Sequence, residues 1–149
     1  MKIGVNTIID SNSEDVAAIA QKAEELGFES FWLPEHPVIP VHTTSKYGGT
    51  PDGSVPAFMS DMADPFIGLA RASATTTKIM LGTSICLVPE HNPLLQAKQI
   101  AALDYYSGGR FIFGVGGGWN AEEMRNHGTN FKSRWRILRE NILAMKEIW

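Results

Sequence analysis

Apolar and polar positions along the chain follow two different periods, one typical of strands and one of helices. Residues 2–9 (KIGVNTII) are a short run rich in β-branched apolar residues, as expected for a buried parallel strand. Ser13 is a predicted N-cap and Gly27 a predicted helix stop. Between them, apolar residues recur at helical spacing: Val16, Ala20, Ala23 and Leu26. The first 27 residues therefore predict one βα unit.

The same order of strand and helix repeats along the rest of the chain. Further strands are predicted at 28–36, 78–88 and 110–116 (FESFWLPEH, KIMLGTSICLV and RFIFGVG). Asp64-Pro65 and Asn92-Pro93 have the N-cap and N1 residues of helices that end near Thr75 and at Gly108. Two more helices are predicted, a short one near 121–126 and a last one over 135–149. Strands alternating with helices indicate a parallel sheet with right-handed crossovers.

Two parallel architectures are compatible with this order. A doubly wound nucleotide-binding sheet would carry G-x-G-x-x-G after its first strand, but that segment reads NTIIDSNS. The residues suited to catalysis or ligand binding instead follow strands two, three and four. The carboxyl ends of the strands are where TIM-barrel enzymes have their active sites. A TIM barrel needs eight strands and about 250 residues. We therefore expect residues 1–149 to be the N-terminal half of a barrel, either part of a longer chain or completed by a second copy.

Composition excludes several classes of protein. The chain has 149 residues, 44% of them hydrophobic, which suits one packed domain. A net charge of −3 without a basic cluster argues against a nucleic-acid partner. No stretch approaches the roughly 20 apolar residues of a membrane helix. The start lacks the pattern of a signal peptide and Cys86 is the single cysteine, so we expect a cytoplasmic protein without disulfides and without a membrane partner.

Two strand ends carry residues with catalytic or binding chemistry. Glu35 and His36 end the second strand, where an imidazole could exchange protons and a carboxylate could orient it or act itself. The same two residues could also be a histidine in a loop beside a solvent-exposed glutamate, without a catalytic role. Ser84 and Ile85 lie in the small-residue stretch GTSIC, which could admit a flat ligand or simply form a bulge.

A glycine-rich turn follows the fourth strand. Gly116, Gly117 and Gly118 precede Trp119 and could let the backbone approach a ligand closely, or could form a turn without one. The next residues, N-A-E-E, resemble a capping box and predict a helix start. No Lys-Ser/Thr follows, so the turn is not a Walker A motif. No metal site is expected, because the remaining candidates show no ligand spacing: His42, Cys86, His91 and His127.

Taken together, these segments resemble the luciferase-like monooxygenase superfamily. WLPEHPVIP is one of the matching pieces, and the strings LGTS, NPLLQAKQIAALDYYSGGR and GVGGGWNAEE, in that order and spacing, are specific to this superfamily. The DPF segment and the GW pair resemble its deazaflavin-dependent branch. The resemblance implies an insertion-bearing TIM barrel, usually a homodimer. It implies coenzyme F420 as cofactor, with FMN as the alternative, and a small organic molecule as substrate.

The resemblance also assigns roles to residues. His36 matches the active-site histidine, Glu35 the acid beside it, and Ser84 and Ile85 a cis peptide that supports the cofactor ring. The glycines at 116–118, with Trp119, match the loop near the ring. Hydride transfer between F420 and the substrate is the implied reaction. An FMN-dependent monooxygenase and a non-catalytic half-barrel that only dimerises are the alternatives.

The sequence departs from the sugar-phosphate dehydrogenases of this group at two positions. Those enzymes have an acid directly after the glycine loop and a Trp four residues after the histidine. Here these positions hold Trp119 and Pro40. A sugar phosphate is therefore not the expected substrate. The family's site for the cofactor phosphate lies in the second half of the barrel, which these residues do not include.

Overall fold

Four parallel strands form the centre of the computed structural model, which describes residues 1–149. Their order in the sheet is the order in the chain, from the first strand to the fourth. Val5 pairs with Phe31, Phe31 with Leu81 and Leu81 with Phe111 across the sheet. The strands are β1 (Gly4–Asn6), β2 (Ser30–Leu33), β3 (Met80–Thr83) and β4 (Phe111–Ile112). This sequential parallel order is that of one half of a β/α barrel and confirms the predicted fold.

Helices connect the strands and follow the last one. They are α1 (Val16–Glu25), α2 (Pro65–Ser73), α3 (Pro93–Ser107), α4 (Ala121–Asn126) and α5 (Arg134–Ile148). Asp64, Asn92 and Asn120 cap α2, α3 and α4 with their side chains, as predicted. None of the helices has both the length and the hydrophobicity needed to cross a membrane.

The predicted cap of α1 is wrong by two residues. Ser13 does not cap the helix, because its hydroxyl bonds with Asp10 and closes the turn before it. The side chain of Asp15 accepts the hydrogen bond from the Ala17 amide and caps the helix instead. The strands are also shorter than predicted at both ends, because only their central residues pair in the sheet.

The hydrophobic core lies between the sheet and the helices. Alternate strand residues point toward the helices, and Phe31 and Leu81 are fully buried there. Leu69 from α2 and Met145 from α5 complete the layer from the helical side. Full burial of one such side chain contributes about 1.5–3 kcal/mol. The core therefore fixes the strands, and the strand ends fix the residues that come after them.

The long segment 37–62 crosses the carboxyl end of the sheet. It has little regular structure apart from a short 3-10 helix at Ala57–Asp61. Glu122 at the start of α4 anchors it, accepting bonds from the hydroxyls of Thr43, Thr44 and Ser45 and from the Thr44 amide. These bonds hold the pKa of Glu122 well below its usual range, the Ser45 hydroxyl having the largest effect. The segment is thus tied down over the strand ends.

Candidate functional site

The carboxyl ends of the four strands open into one cavity of about 1000 Å³. The last residue of β1 with the two that follow it, the segments after β2, β3 and β4, and the first turn of α5 all contribute to its wall. The structure brings every sequence-predicted site residue to this wall: Glu35, His36, Ser84, Ile85, Gly116, Gly117, Gly118 and Trp119. Residues not predicted from the sequence also line it, among them Asn6, Tyr47, Phe58, Met59 and Trp135.

His36 is held from both sides of its ring. Its Nδ1 lies 2.8 Å from Oε2 of Glu123, and the indole Nε1 of Trp119 donates to its Nε2 at 3.2 Å. An indole N–H can only donate, so Nε2 accepts and the proton of the neutral ring sits on Nδ1, facing the carboxylate. The imidazole and indole rings meet edge to face, 5.6 Å apart. Nε2 is therefore the basic nitrogen of His36 and is covered by Trp119, and both residues line the cavity.

Glu123 is the acid that orients His36. Its side chain is fully buried, and its second oxygen accepts a hydrogen bond from the amide of Val38. The sequence predicted Glu123 as the return half of a capping box, but only the forward half exists. Asn120 accepts from the amides of Glu122 and Glu123. The sequence did contain one indication of this role, because Glu123 lies in the first helical turn after a glycine-rich strand end. We interpreted it as part of a local helix cap, and its contact with the distant His36 was therefore not predicted.

Glu35 faces away from His36, although the two are neighbours in the chain. Its Oε2 accepts from the Leu87 amide at 2.6 Å and its Oε1 lies 3.0 Å from Nε2 of His91. Successive residues of an extended segment point in opposite directions, which separates the pair. Glu35 thus fixes the segment after β3, and the predicted partnership of Glu35 with His36 is replaced by that of Glu123 with His36.

Cys86 lies in the same polar cluster as Glu35. Its sulfur and the ligand atoms of Glu35 and His91 lie within 4.8 Å of one another. The Gln96 side-chain amide donates to the sulfur at 2.9 Å. Burial, with the nearby Glu35 charge, raises the pKa of the Cys86 thiol far above its usual range. Since the oxygens of Glu35 are already hydrogen-bonded, we interpret the cluster as a structural network.

The peptide between Ser84 and Ile85 is cis, as the resemblance implied. Beyond it the β3–β4 ladder resumes, with the Cys86 amide donating to Gly114 and the Gly116 amide donating to Cys86. A Cβ on Gly116 would lie 1.7 Å from the Ile85 side chain. The absence of a side chain at Gly116 is therefore needed for packing against Ile85, which stays 40% exposed on the cavity floor.

The family model described as luciferase-like monooxygenase matches residues 1–149. The chain belongs to the luciferase-like monooxygenase family. Membership accounts for the parallel half-barrel and for the cavity at its carboxyl end, which is where TIM-barrel enzymes have their active sites.

Several curated members of the luciferase-like family are similar in sequence. An uncharacterised protein of Mycobacterium tuberculosis is 43% identical over 135 residues, which cover 89% of this chain and 48% of that protein. The F420-dependent glucose-6-phosphate dehydrogenase of Amycolatopsis mediterranei is 30% identical over 155 residues, covering 100% and 42%. Limonene 1,2-monooxygenase of Rhodococcus erythropolis is 33% identical over 112 residues, covering 75% and 24%. The chain thus spans about half the length, or less, of these relatives.

Solved structures of luciferase-like proteins share the fold. The oxygenating constituent of 3,6-diketocamphane monooxygenase from Pseudomonas putida, in complex with FMN, aligns with a TM-score of 0.78 at 21% identity. The alignment covers all of this chain and 39% of that one. An F420-dependent secondary alcohol dehydrogenase in complex with an F420-acetone adduct aligns with a TM-score of 0.71 at 22% identity, covering 99% and 42%. Relatives with this fold therefore use either F420 or FMN.

Proposed function

We propose that this chain is the N-terminal half of an oxidoreductase that transfers a hydride between coenzyme F420 and a small organic substrate, with His36 as the acid/base. The observation that carries the proposal is the contact of Glu123 with Nδ1 of His36, which leaves Nε2 as the basic nitrogen of a histidine that lines the cavity. The 30% identity to an F420-dependent dehydrogenase over the whole chain supports the choice of cofactor.

The cavity is suited to a flat ring. Its volume is at the upper end of the 300–1,000 Å³, roughly, that ligand sites occupy. Ile85 and Val115 expose apolar side chains on its floor, and Tyr47 and Trp119 form an aromatic pair at its side, 5.4 Å apart. When bound there, F420 would supply the hydride acceptor or donor. Ile85 and the glycines at 116–118 would support the ring, and Trp119 would border it.

The chain's own residues would move the proton. For an alcohol substrate, Nε2 of His36 would take the O–H proton in the direction that gives a carbonyl compound, and would return a proton to the oxygen in the reverse direction. Glu123 would stabilise the imidazolium so formed, at 2.8 Å from Nδ1. Because the Trp119 indole occupies Nε2, the substrate hydroxyl must displace it. Trp119 would thereby keep water from His36 until the substrate arrives.

A second candidate function is an FMN-dependent monooxygenase. The observation that favours it is the TM-score of 0.78 to a structure in complex with FMN. A third is a half-barrel that only dimerises, which the two open sheet edges at β1 and β4 favour. A homodimer and cytoplasmic location are part of the proposal. The domain that we propose is residues 1–149 as the N-terminal half of a luciferase-like barrel.

The test begins with cofactor binding. F420 and FMN are titrated separately into the protein, and absorbance and fluorescence report binding. The expected result is a spectral change with F420 at lower concentration than with FMN. The opposite order would favour the monooxygenase, and no change with either cofactor would leave the dimerising half-barrel.

The role of His36 is tested with two matched substitutions. His36→Gln should reduce turnover of small alcohols or carbonyl compounds by at least about 100-fold while changing the cofactor dissociation constant little. His42→Gln alters an exposed histidine of the same loop and should change neither quantity. Turnover that survives in His36→Gln would refute the acid/base role.

A further inference from the structure

The cavity that holds His36 has an apolar wall that the proton step does not explain. We use the term apolar wall for Phe58, Met59 and Met62, which line the cavity from the end of the 37–62 segment, together with Trp135 from α5. Phe58 is 37% exposed and Trp135 is 60% exposed, although both side chains are large and hydrophobic. Exposed apolar surface inside a concave site is typical of a surface that a ligand covers.

The apolar wall is attached to fixed parts of the fold. Directly after the 3-10 helix that carries Phe58, the amide of Ala63 donates to the carbonyl of Ile9 at 2.8 Å. Trp135 lies against the glycine loop, where a Cβ on Gly117 would be 2.9 Å from its ring. The wall is therefore held by the segment after β1 and by the loop after β4, and it exists before a ligand binds.

This half of the barrel offers no cationic side chain to a ligand in the cavity. The lining residues include neither Lys nor Arg, and those with a carboxyl or imidazole group are Glu35 and His36. The Glu35 side chain is buried, and its oxygens are occupied by the Leu87 amide and by His91. An anionic group in the cavity would lose its hydration without gaining an opposite charge, which is costly.

The hydrogen bond at His36 favours the same kind of ligand. Nε2 accepts from the Trp119 indole, so this atom offers a lone pair and no proton to a ligand. An alcohol hydroxyl can donate to Nε2, whereas an ionised carboxylate has no proton to donate. The side chains of Asn6 and Ser84 also line the cavity, but they bond to each other at 3.0 Å. A single hydroxyl is thus the polar group that suits this part of the cavity.

We propose that the substrate is an uncharged alcohol, or the corresponding carbonyl compound, whose remaining carbon skeleton is apolar and is held by the apolar wall. The proposal rests on the acid/base role of His36 proposed above, because the reacting oxygen is taken to lie at Nε2. Phe58 and Trp135 determine specificity, since they expose the most surface of the four wall residues. Sugar phosphates and hydroxy acids are excluded, because their charge has no partner there.

Three related ligands test the selection against charge without cofactor or turnover. Mandelate and methyl mandelate share one skeleton, but only mandelate is charged, and benzyl alcohol lacks the carboxyl group altogether. Calorimetry measures the dissociation constants, and we expect mandelate to bind at least about tenfold more weakly than methyl mandelate and benzyl alcohol. In NMR spectra, both uncharged ligands should shift the indole N–H signals of Trp119 and Trp135. The signal of Trp149 should stay, because its indole donates to Ala97 outside the cavity.

Substitution of Phe58 tests the wall itself. Phe58→Lys removes apolar surface and supplies the missing cation, so benzyl alcohol should bind roughly tenfold more weakly and mandelate more tightly than in the unsubstituted protein. Val41→Lys adds the same charge at a 94% exposed residue of the same segment that does not line the cavity, and it should change neither constant. Should Phe58→Lys fold poorly, Trp135→Ala should weaken benzyl alcohol by roughly fivefold or more.

Three results would overturn the proposal: mandelate that binds as tightly as methyl mandelate, affinities that do not change in the wall variants, or no binding of either uncharged ligand. The proposed function fails by different results. F420 that does not bind, or turnover that survives in His36→Gln, would refute acid/base-assisted hydride transfer and leave the order of ligand affinities intact. Turnover of an anionic substrate would do the reverse, refuting the apolar substrate class and leaving the proposed function in place.

Discussion

Glu90 ends the short 3-10 helix Val88–Glu90, and both its carboxyl oxygens are buried without a hydrogen bond. Its raised pKa makes the stability of the protein depend on pH in a direction opposite to that of most carboxylates. The ordinary pKa of 4.5 applies to the unfolded chain, and burial raises it to about 8 in the folded protein. Because the unfolded chain releases this proton first, raising the pH through that interval favours unfolding. At about 1.36 kcal/mol per pH unit, the full effect is about 5 kcal/mol. Relaxation of the folded protein around a buried charge lowers this value, so we expect about 2–5 kcal/mol.

Glu90→Gln should remove this dependence. The substitution keeps the shape and removes the titration, so its constant cost from an unpaired amide cancels when two pH values are compared. Urea unfolding, followed by tryptophan fluorescence and circular dichroism, measures the free energy of unfolding of both proteins at pH 4.5 and 8.5. Glu90→Gln should gain about 2–5 kcal/mol relative to the unsubstituted chain between these pH values. A relative gain below about 1 kcal/mol would refute the reasoning. The control Glu147→Gln, which removes an exposed carboxylate of α5, should show no gain.

Three further outcomes are expected from other contacts. Gly116→Ala should destabilise the protein by about 1–3 kcal/mol in urea unfolding, because its Cβ would overlap Ile85, whereas Gly48→Ala meets no atom within 4 Å and should be neutral. Arg110→Met should cost about 2–4 kcal/mol in the same assay, because the guanidinium donates to four backbone carbonyls and a threonine hydroxyl. The thiol of Cys86 should react with a disulfide reagent at pH 8 only in denaturant, since burial keeps it protonated. Fast reaction of the folded protein would contradict its burial.

The helices were predictable because their signals are local. A capping side chain bonds an amide two or three residues away, so Asp64, Asn92 and Asn120 could be recognised from their neighbours. The cap of α1 shows where this reasoning fails. Ser13 and Asp15 both suit an N-cap, and the choice depended on Ser13 bonding back to Asp10. Two residues of similar chemistry cannot be ranked from spacing alone.

The position of the site was predictable for a topological reason. Parallel strands place all their carboxyl ends at one edge, so residues that come after different strands must meet there. His36, Ser84 and Gly116 are far apart in the chain and line one cavity. The resemblance of the sequence to the luciferase-like family indicated the same residues. The residues directly after each strand were therefore enough to locate the cavity.

The partners within the site were not predictable. The contact between His36 and Glu123 joins residues 87 positions apart, and the sequence offered Glu35, the adjacent acid, in its place. The alternation of an extended backbone turned Glu35 toward Leu87 and His91 instead. Nothing in the sequence distinguished Glu90, because an acidic residue in a turn is usually exposed to solvent. Only the fold shows that its carboxyl group is buried without a hydrogen bond.

By itself, the sequence determined the parallel β/α order, the N-caps of α2, α3 and α4 and the edge of the sheet that carries the cavity, because these depend on periodicity and on neighbours a few residues apart. The tertiary structure alone decided which carboxylate orients His36, which one holds the segment after β3 and which one is left without a partner. Those assignments depend on side-chain direction and on burial, and both are set only when separate strands and helices pack together.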